Sequence, residues 1–564
     1  MSAQLVWFKR DLRVADHAPL INAAKAGPVL CLYILEPALW QQPDAARQHF
    51  HFTLECLRDL YTALRKHGLT LQIHVGEATD VLDDLHRSHG IASLHSHQET
   101  GNGWSYERDL SVRAWCQTQG VLWQETPQFG VLRGLRDRAL WQPAWQALMA
   151  QDLAPKLDSV RAVNVQTQWV QSPLPSADDL KLAPHEPAQR QIGGRTSALH
   201  VLNSFLSVRS RQYRGGISSP LSAPAACSRL SPYLAMGCVS MREVAQQTWM
   251  RAKDDQLAAS HRKGLRAFVS RLHWHCHFIQ KLESEPGIEW HNMHRGYDDL
   301  REHAFNTAHF QVLQEGRTGW PMVDACVNML HATGWLNFRM RAMLVSVAAY
   351  PLWLHWRPVG EWLAREFLDY EPGIHWSQLQ MQSGTTGINT TRIYNPIKQA
   401  MDQDPHGHFV RQWVPAMRLV PDTWLFEPWR MPASVQQQCG VVVGKDIPVP
   451  LVDVEAEIRI NKARLYARKQ QPSVRAGKSA VITKHASRGT TQARRQRTAR
   501  VGSTSAAADT DVQLSLLGPS CCASGPHRPI KTPEHEANLR DLLVSTRPAP
   551  RRQPRPLPSN GQGA

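Results

Sequence analysis

The chain has 564 residues, a formal net charge of +16 and 42% apolar residues, too long for one small core and expected to form two or three folding units. No run of eighteen apolar residues occurs, and the start "MSAQLVWFKRDLR" is charged where a signal peptide is apolar. Neither a membrane span nor export is therefore expected, and a cytoplasmic location is. The ten cysteines stand singly apart from Cys521 and Cys522, so no disulfide framework or iron–sulfur spacing is visible.

In chain order, the first 126 residues alternate the apolar runs "LVWF", "PVLCLYIL", "LTLQIHV", "IASLHSH" and "VLWQE" with amphipathic stretches. This predicts an α/β domain with a parallel, Rossmann-like sheet over 1–130. No GxGxxG follows the first run, so a standard dinucleotide fingerprint is absent. Residues 131–195 have weaker patterning and the Pro- and Gly-bearing "PSADDLKLAPHEPAQRQIGG", which reads as a surface connector. From Thr196 to about residue 430 the period becomes helical, as in "TSALHVLNSFLSV", "VSMREVAQQTWMRA" and "LNFRMRAMLVSVAAYPLWLHW". A mostly α-helical domain over 196–430, large enough to enclose a cofactor, is expected.

Residues 431–470 read as an extension with a helix. The remainder, 471–564, has 15 Lys and Arg against 5 Asp and Glu and is rich in Arg, Pro, Ser and Gln. It is expected to be a basic disordered tail suited to sequence-independent phosphate contact.

Within the helical part, "RLHWHCHFIQK" offers His273, His275 and His277. On a helix, His273 and His277 share a face and His275 turns away, so only two could share a metal. No CxxC or HExxH stands near, and no metal site is expected.

Five segments carry a family signature: "LVWFKRDLRVADHAPL", "CSRLSPYLAMG", "EGRTGWPMVDACVNMLHATGW", "RPVGEWLAREFLDYE" and "TTRIYNPIKQ". In order and interval they resemble the photolyase and cryptochrome family over about residues 4 to 430. The resemblance implies FAD as cofactor. Its diphosphate would lie on Cys227, Ser228, Arg229, Leu230 and Ser231, with Tyr213 as a phosphate contact. Arg341 and Asp369 match the ion pair beside the isoalloxazine, and Tyr370 and Glu371 continue the segment bordering flavin and ribose. Phe268, Arg271, His275 and Phe338 match further flavin-side positions, and Arg271, Trp274, His275, Arg339 and Arg392 match DNA-side ones. Trp356 matches the middle member of the family's electron-relay tryptophans, which with Arg341 and Asp369 makes the expected catalytic set.

Departures accompany these matches. Arg271 stands where a lesion-binding glutamate is usual, and a guanidinium donates but cannot accept. Phe338 replaces an asparagine, and Leu379 and Leu313 occupy the outer relay positions, leaving Trp376, Trp353, Trp320 or Trp335 for a rerouted chain. The resemblance thus implies a light-driven, FAD-dependent photolyase acting on UV-damaged DNA. The alternative is a cryptochrome-like blue-light photoreceptor without repair. A second, antenna chromophore is possible, since "NGWSYE" (102–107) loosely resembles one antenna contact. Lesion type and oligomeric state stay open.

Overall fold

Alternation at period two sorts strand side chains between two layers. In the computed structural model the described residues are 2–158, 160–163, 173–388 and 392–486. The five expected runs are strands β1 (Ala3–Phe8), β2 (Val29–Leu35), β3 (Leu71–Val75), β4 (Ile91–His97) and β5 (Leu122–Thr126). Helices α1 (Ala18–Ala26), α2 (Arg47–Arg65), α3 (Ala78–His89) and α4 (Gly103–Gln119) connect them. All pairings are parallel, in the order β3-β2-β1-β4-β5. Val6, Phe8, Cys31, Tyr33 and Leu35 pack with Leu20 of α1 and Leu57 and Leu60 of α2. Their neighbours Leu5, Trp7, Leu30, Leu32 and Ile34 pack on the opposite face with Val81 and Leu82 of α3 and Val112 of α4. Strand order reverses at β1, so the carboxyl ends of β1, β2 and β4 open a crevice, the usual ligand position in such sheets.

The expected connector is partly built into the core. Helix α5 (Trp141–Ala150) buries Trp141, Trp145 and Met149, a four-residue spacing that presents one face. Leu157, Leu180 and Leu182 join the same core. Pro143 and the surrounding glutamines mask this pattern in the sequence.

The helical domain follows with α6 (Arg195–Ser207), α7 (Ser231–Ala235), α8 (Met241–Ala252), α9 (Ala259–Ser284), α10 (Pro321–Thr333), α11 (Phe338–Ala349), α12 (Trp356–Glu366) and α13 (Pro372–Ser383). The 26-residue α9 runs about 39 Å. Its Phe268, Leu272 and Cys276 belong to the cluster that contains one face of the sheet, coupling the two domains. Helix α13 meets α9 at backbone distance. A Cβ on Gly373 would stand 2.6 Å from the Ile279 Cα, so only glycine permits this approach.

The first residues of the expected tail are helical. After α14 (Val454–Gln470), a helix α15 (Pro472–His485) starts with proline in its first turn and buries Val474 and His485. Few apolar residues mark it because it docks through those two side chains and Val481. The expected tail beyond residue 486 lies outside the described residues.

Candidate functional site

The turn before α7 is built by cations. Arg209 donates from Nη1 to the Cys227 carbonyl, from Nη2 to the Ser228 carbonyl at 3.1 Å and from Nε to Ser204 Oγ at 2.8 Å. Arg229 has a left-handed backbone, φ 60°, a strained state for a long side chain that marks a constrained site. Its guanidinium lies 3.9 Å from the Trp335 ring, and its carbonyl accepts from Gln191 Nε2 at 3.0 Å. Burial pulls both guanidiniums down to about 10. Neither has a carboxylate ion-pair partner among the described residues. Arg209 carried no signal in the sequence; its role depends on the chain folding back to Cys227.

Across from this turn, Arg341 grips Asp369 with two parallel hydrogen bonds, Nη1 to Oδ1 and Nη2 to Oδ2, each 2.9 Å. Arg341 Nε donates to the Leu336 carbonyl at 2.8 Å, and its guanidinium lies 4.0 Å from the Phe367 ring. The Ser231 hydroxyl also donates to Asp369. Burial favours the neutral acid, but Arg341 and these hydrogen bonds outweigh it and hold Asp369 below its usual range. Asn337, just before Phe338, ties the pocket's far wall by donating to the Ile217 and Ser218 carbonyls at 3.0 and 2.8 Å.

Helix α9 supplies the remaining wall. Tyr213, Phe205 and Phe268 pack edge to face, with centroids 4.7 to 5.7 Å apart, and Arg271 hydrogen-bonds the Tyr213 hydroxyl. His275 packs on Phe129 at 5.4 Å and leaves Nδ1 buried without a partner. Burial pulls it to about 4, with Arg10 lowering it further and Asp369 opposing. Trp274 is half-buried, its ring 4.8 Å from His277 and 5.8 Å from Phe278. His273 sits between Trp141 and Trp145, and His277 accepts from Arg138. His273 and His277 thus share the Trp141 side of α9, and His275 turns away to Phe129.

Not every matched residue faces this centre. Tyr370 donates to Asp44 Oδ2 at 2.7 Å, and Glu371 pairs with Arg10 at 2.8 Å, so both side chains turn toward the α/β domain. Phe338 is 49% exposed. Arg339 reaches Gln399 at 3.5 Å, and Arg392 is half-buried after the undescribed residues 389–391. Trp356 is buried, donates to Asn292 Oδ1 at 2.8 Å and lies 6.0 Å from Trp376. Arg357 stands over Trp376 at 5.3 Å and over the exposed Trp290 at 3.9 Å.

A cavity occupies the crevice at the sheet's carboxyl edge. Trp7, Lys9, Tyr33, Glu36, Trp40 and Arg108 line it from the α/β domain, and Leu368, Tyr370 and Pro372 from the helical one. Arg108 pairs with Glu36, Glu99 and Asp109. Beside it lie Asp11, His17 and His97, the one cluster with metal-ligand geometry among the described residues. His17 Nδ1 accepts from Leu20 N–H at 3.1 Å, so its proton is on Nε2, which donates to Asp11 at 2.9 Å. His97 Nδ1 meets the same oxygen at 2.7 Å. These contacts form a hydrogen-bonded network in which His17 has no free lone pair for an ion.

The cation-rich turn, the unpaired His275 Nδ1 and the Arg341–Asp369 pair fit a large anionic cofactor with a polar ring. Comparison with known proteins agrees. Residues 4–131 match the DNA photolyase family and residues 268–467 the FAD binding domain of DNA photolyase. A cryptochrome DASH of Gloeobacter violaceus is 28% identical, over 81% of this chain and 95% of its own. A deoxyribodipyrimidine photo-lyase of Salmonella typhimurium is 27% identical, over 83% of this chain and 100% of its own. An archaeal photolyase from Sulfolobus tokodaii, solved with two FAD molecules, superposes with TM-score 0.65 at 23% identity, covering 82% of this chain and 100% of its own.

Proposed function

The chain belongs to the photolyase/cryptochrome family and carries its FAD-binding domain, and on that footing we propose that it is a light-driven photolyase acting on UV-damaged DNA. The observation that carries the reading is the Arg341–Asp369 pair opposite the carboxylate-free Arg209 and Arg229, with Trp274 one position from His275 on the adjoining helix.

When bound, FAD would supply light-driven electron transfer to and from the lesion. Ser228, Arg209 and Arg229 would hold its diphosphate by charge-assisted hydrogen bonds. Asp369 fixes the Arg341 guanidinium in one orientation, so its charge stabilises negative charge at the ring without reorganising. Trp274 offers a half-exposed aromatic face against which an extruded base can pack. Arg271 offers donors only, so it engages a carbonyl or phosphate of the substrate or cofactor. Trp356 and Trp376, in edge contact, give an electron path from the protein interior. The crevice at the carboxyl edge of the sheet suits a second, antenna chromophore: Trp7, Tyr33, Trp40 and Tyr370 give it aromatic walls.

A blue-light photoreceptor without repair is the second reading, favoured by Arg271 in place of a hydrogen-bond acceptor. One experiment separates the two. The purified protein should show a flavin spectrum and, under blue light, restore DNA carrying cyclobutane dimers or six-four products, each tested alone. Trp274→Ala should weaken lesion binding by about 1–3 kcal/mol with the flavin spectrum unchanged. A flavin-loaded protein that repairs neither lesion would decide for the photoreceptor.

A further inference from the structure

Helix α15 follows the FAD-binding-domain match, which ends at residue 467. Its last residue, His485, is 1% exposed, gives Nε2 to Glu285 Oε2 at 2.7 Å and leaves Nδ1 buried without a partner. Facing it from α9 is Lys281, 6% exposed, whose ammonium stands 5.0 Å from the Phe278 ring and forms no ion pair among the described residues. Arg138, on the turn Arg138–Leu140 before α5, is 8% exposed. Its Nη2 donates to His277 Nδ1 at 2.5 Å and its guanidinium covers Trp141 at 4.5 Å, while Nη1 is buried with no partner. The neighbouring Asp137 is exposed and caps the turn through Ala139 N–H.

These groups share one nook: the Arg138 turn packs against α15, and Lys281 lies one turn along α9 from the His277 that Arg138 contacts. Beyond burial, His277 is depressed by Lys281, Arg138, His273 and His485, and Lys281, pulled by burial and Arg138 to about 7, is the cation that His485 also feels. The acid that His485 meets is Glu285, which it shares with Lys484 at 2.7 and 2.8 Å. Unpaired buried donors are costly, and buried cations without a counter-ion more so. An anion relieves both.

We propose that Arg138, Lys281 and His485 form a binding site for a phosphate-class oxyanion between α9 and α15. Arg138 Nη1 and the Lys281 ammonium donate to its oxygens, and the anion favours the protonated His485 ring, which then donates from Nδ1 as well. Phosphate could come from solution or from a nucleic-acid strand. The second source rests on the repair reading: Trp274, His277 and Lys281 share one stripe of α9, so the site lies about 10 Å along the helix from Trp274.

The test uses the FAD-loaded full chain, so that the cofactor's own phosphate site is filled. Inorganic phosphate is titrated calorimetrically against chloride at matched ionic strength. A saturable, phosphate-specific signal is expected, with affinity at least tenfold weaker in Lys281→Met and in Arg138→Gln and the flavin spectrum unchanged. No phosphate-specific signal in the parent, or parental affinity in both variants, overturns the site. Should Lys281→Met lose flavin, Arg138→Gln decides alone. A parallel titration with undamaged duplex DNA names the source. Weakened DNA binding in Lys281→Met identifies a strand phosphate; unchanged DNA binding with lost phosphate binding identifies the free anion. The phosphate arm stands whether or not the protein repairs DNA.

Discussion

Asp369→Asn keeps a side chain's shape and removes its charge at the best-defined ion pair of the site. Both carboxylate oxygens accept from Arg341 at 2.9 Å, and the side chains are 6% and 24% exposed for Asp369 and Arg341. Asparagine retains one acceptor and turns an amide N–H₂ toward a guanidinium that can only donate. Two charge-assisted hydrogen bonds would contribute about 3–6 kcal/mol together. Because Arg341 retains some solvent, the loss should fall near the low end, about 3 kcal/mol, the lower range for orphaning one member of a buried pair. That is roughly a 150-fold fall in the folding constant. Urea unfolding of Asp369→Asn, Arg341→Gln and the double variant measures it. The double variant should lose less than the sum of the singles, with a coupling of at least about 1 kcal/mol. Additive losses, or a loss below about 1 kcal/mol in Asp369→Asn, would show that the pair does not hold the pocket together.

Arg229→Glu should strongly reduce FAD occupancy, because it replaces a buried cation at the diphosphate turn with an anion; full occupancy by absorbance would remove that site. Trp356→Phe and Trp376→Phe should each leave the fold intact and slow flavin photoreduction, since ring volume changes little, and an unchanged rate in both would place the electron path elsewhere. His275 should stay neutral at pH 6. Burial, helped by Arg10, lowers it to about 4, so folded His275 binds fewer protons than the unfolded chain between about pH 6.5 and 4, and its stability contribution is lost as pH falls through that window. His275→Leu should flatten that part of the urea-midpoint profile; an identical profile contradicts the assignment.

Short apolar runs and helical periods are local information, and they were enough to define five parallel strands and a helical second domain. The Arg341 and Asp369 match is of the same kind, because the family intervals preserve their places, Arg341 on α11 and Asp369 in the turn between α12 and α13. Patterns broken by proline or by few apolar residues were less legible: α5 was read as connector and α15 as tail, since each docks through two or three side chains whose partners lie far away in the chain. Side-chain direction was legible on the helix of His273, His275 and His277 but not in the turns. Tyr370 and Glu371 adjoin Asp369 yet turn to Asp44 and Arg10, more than three hundred residues distant. Arg209 became a clamp on Cys227 and Ser228, and Arg138 and His485 became neighbours of Lys281, only when separate elements converged. Hydrophobic period is written residue by residue, whereas the pairing of buried charges depends on which donors and acceptors the packed helices leave unpaired, and only the tertiary structure decides that.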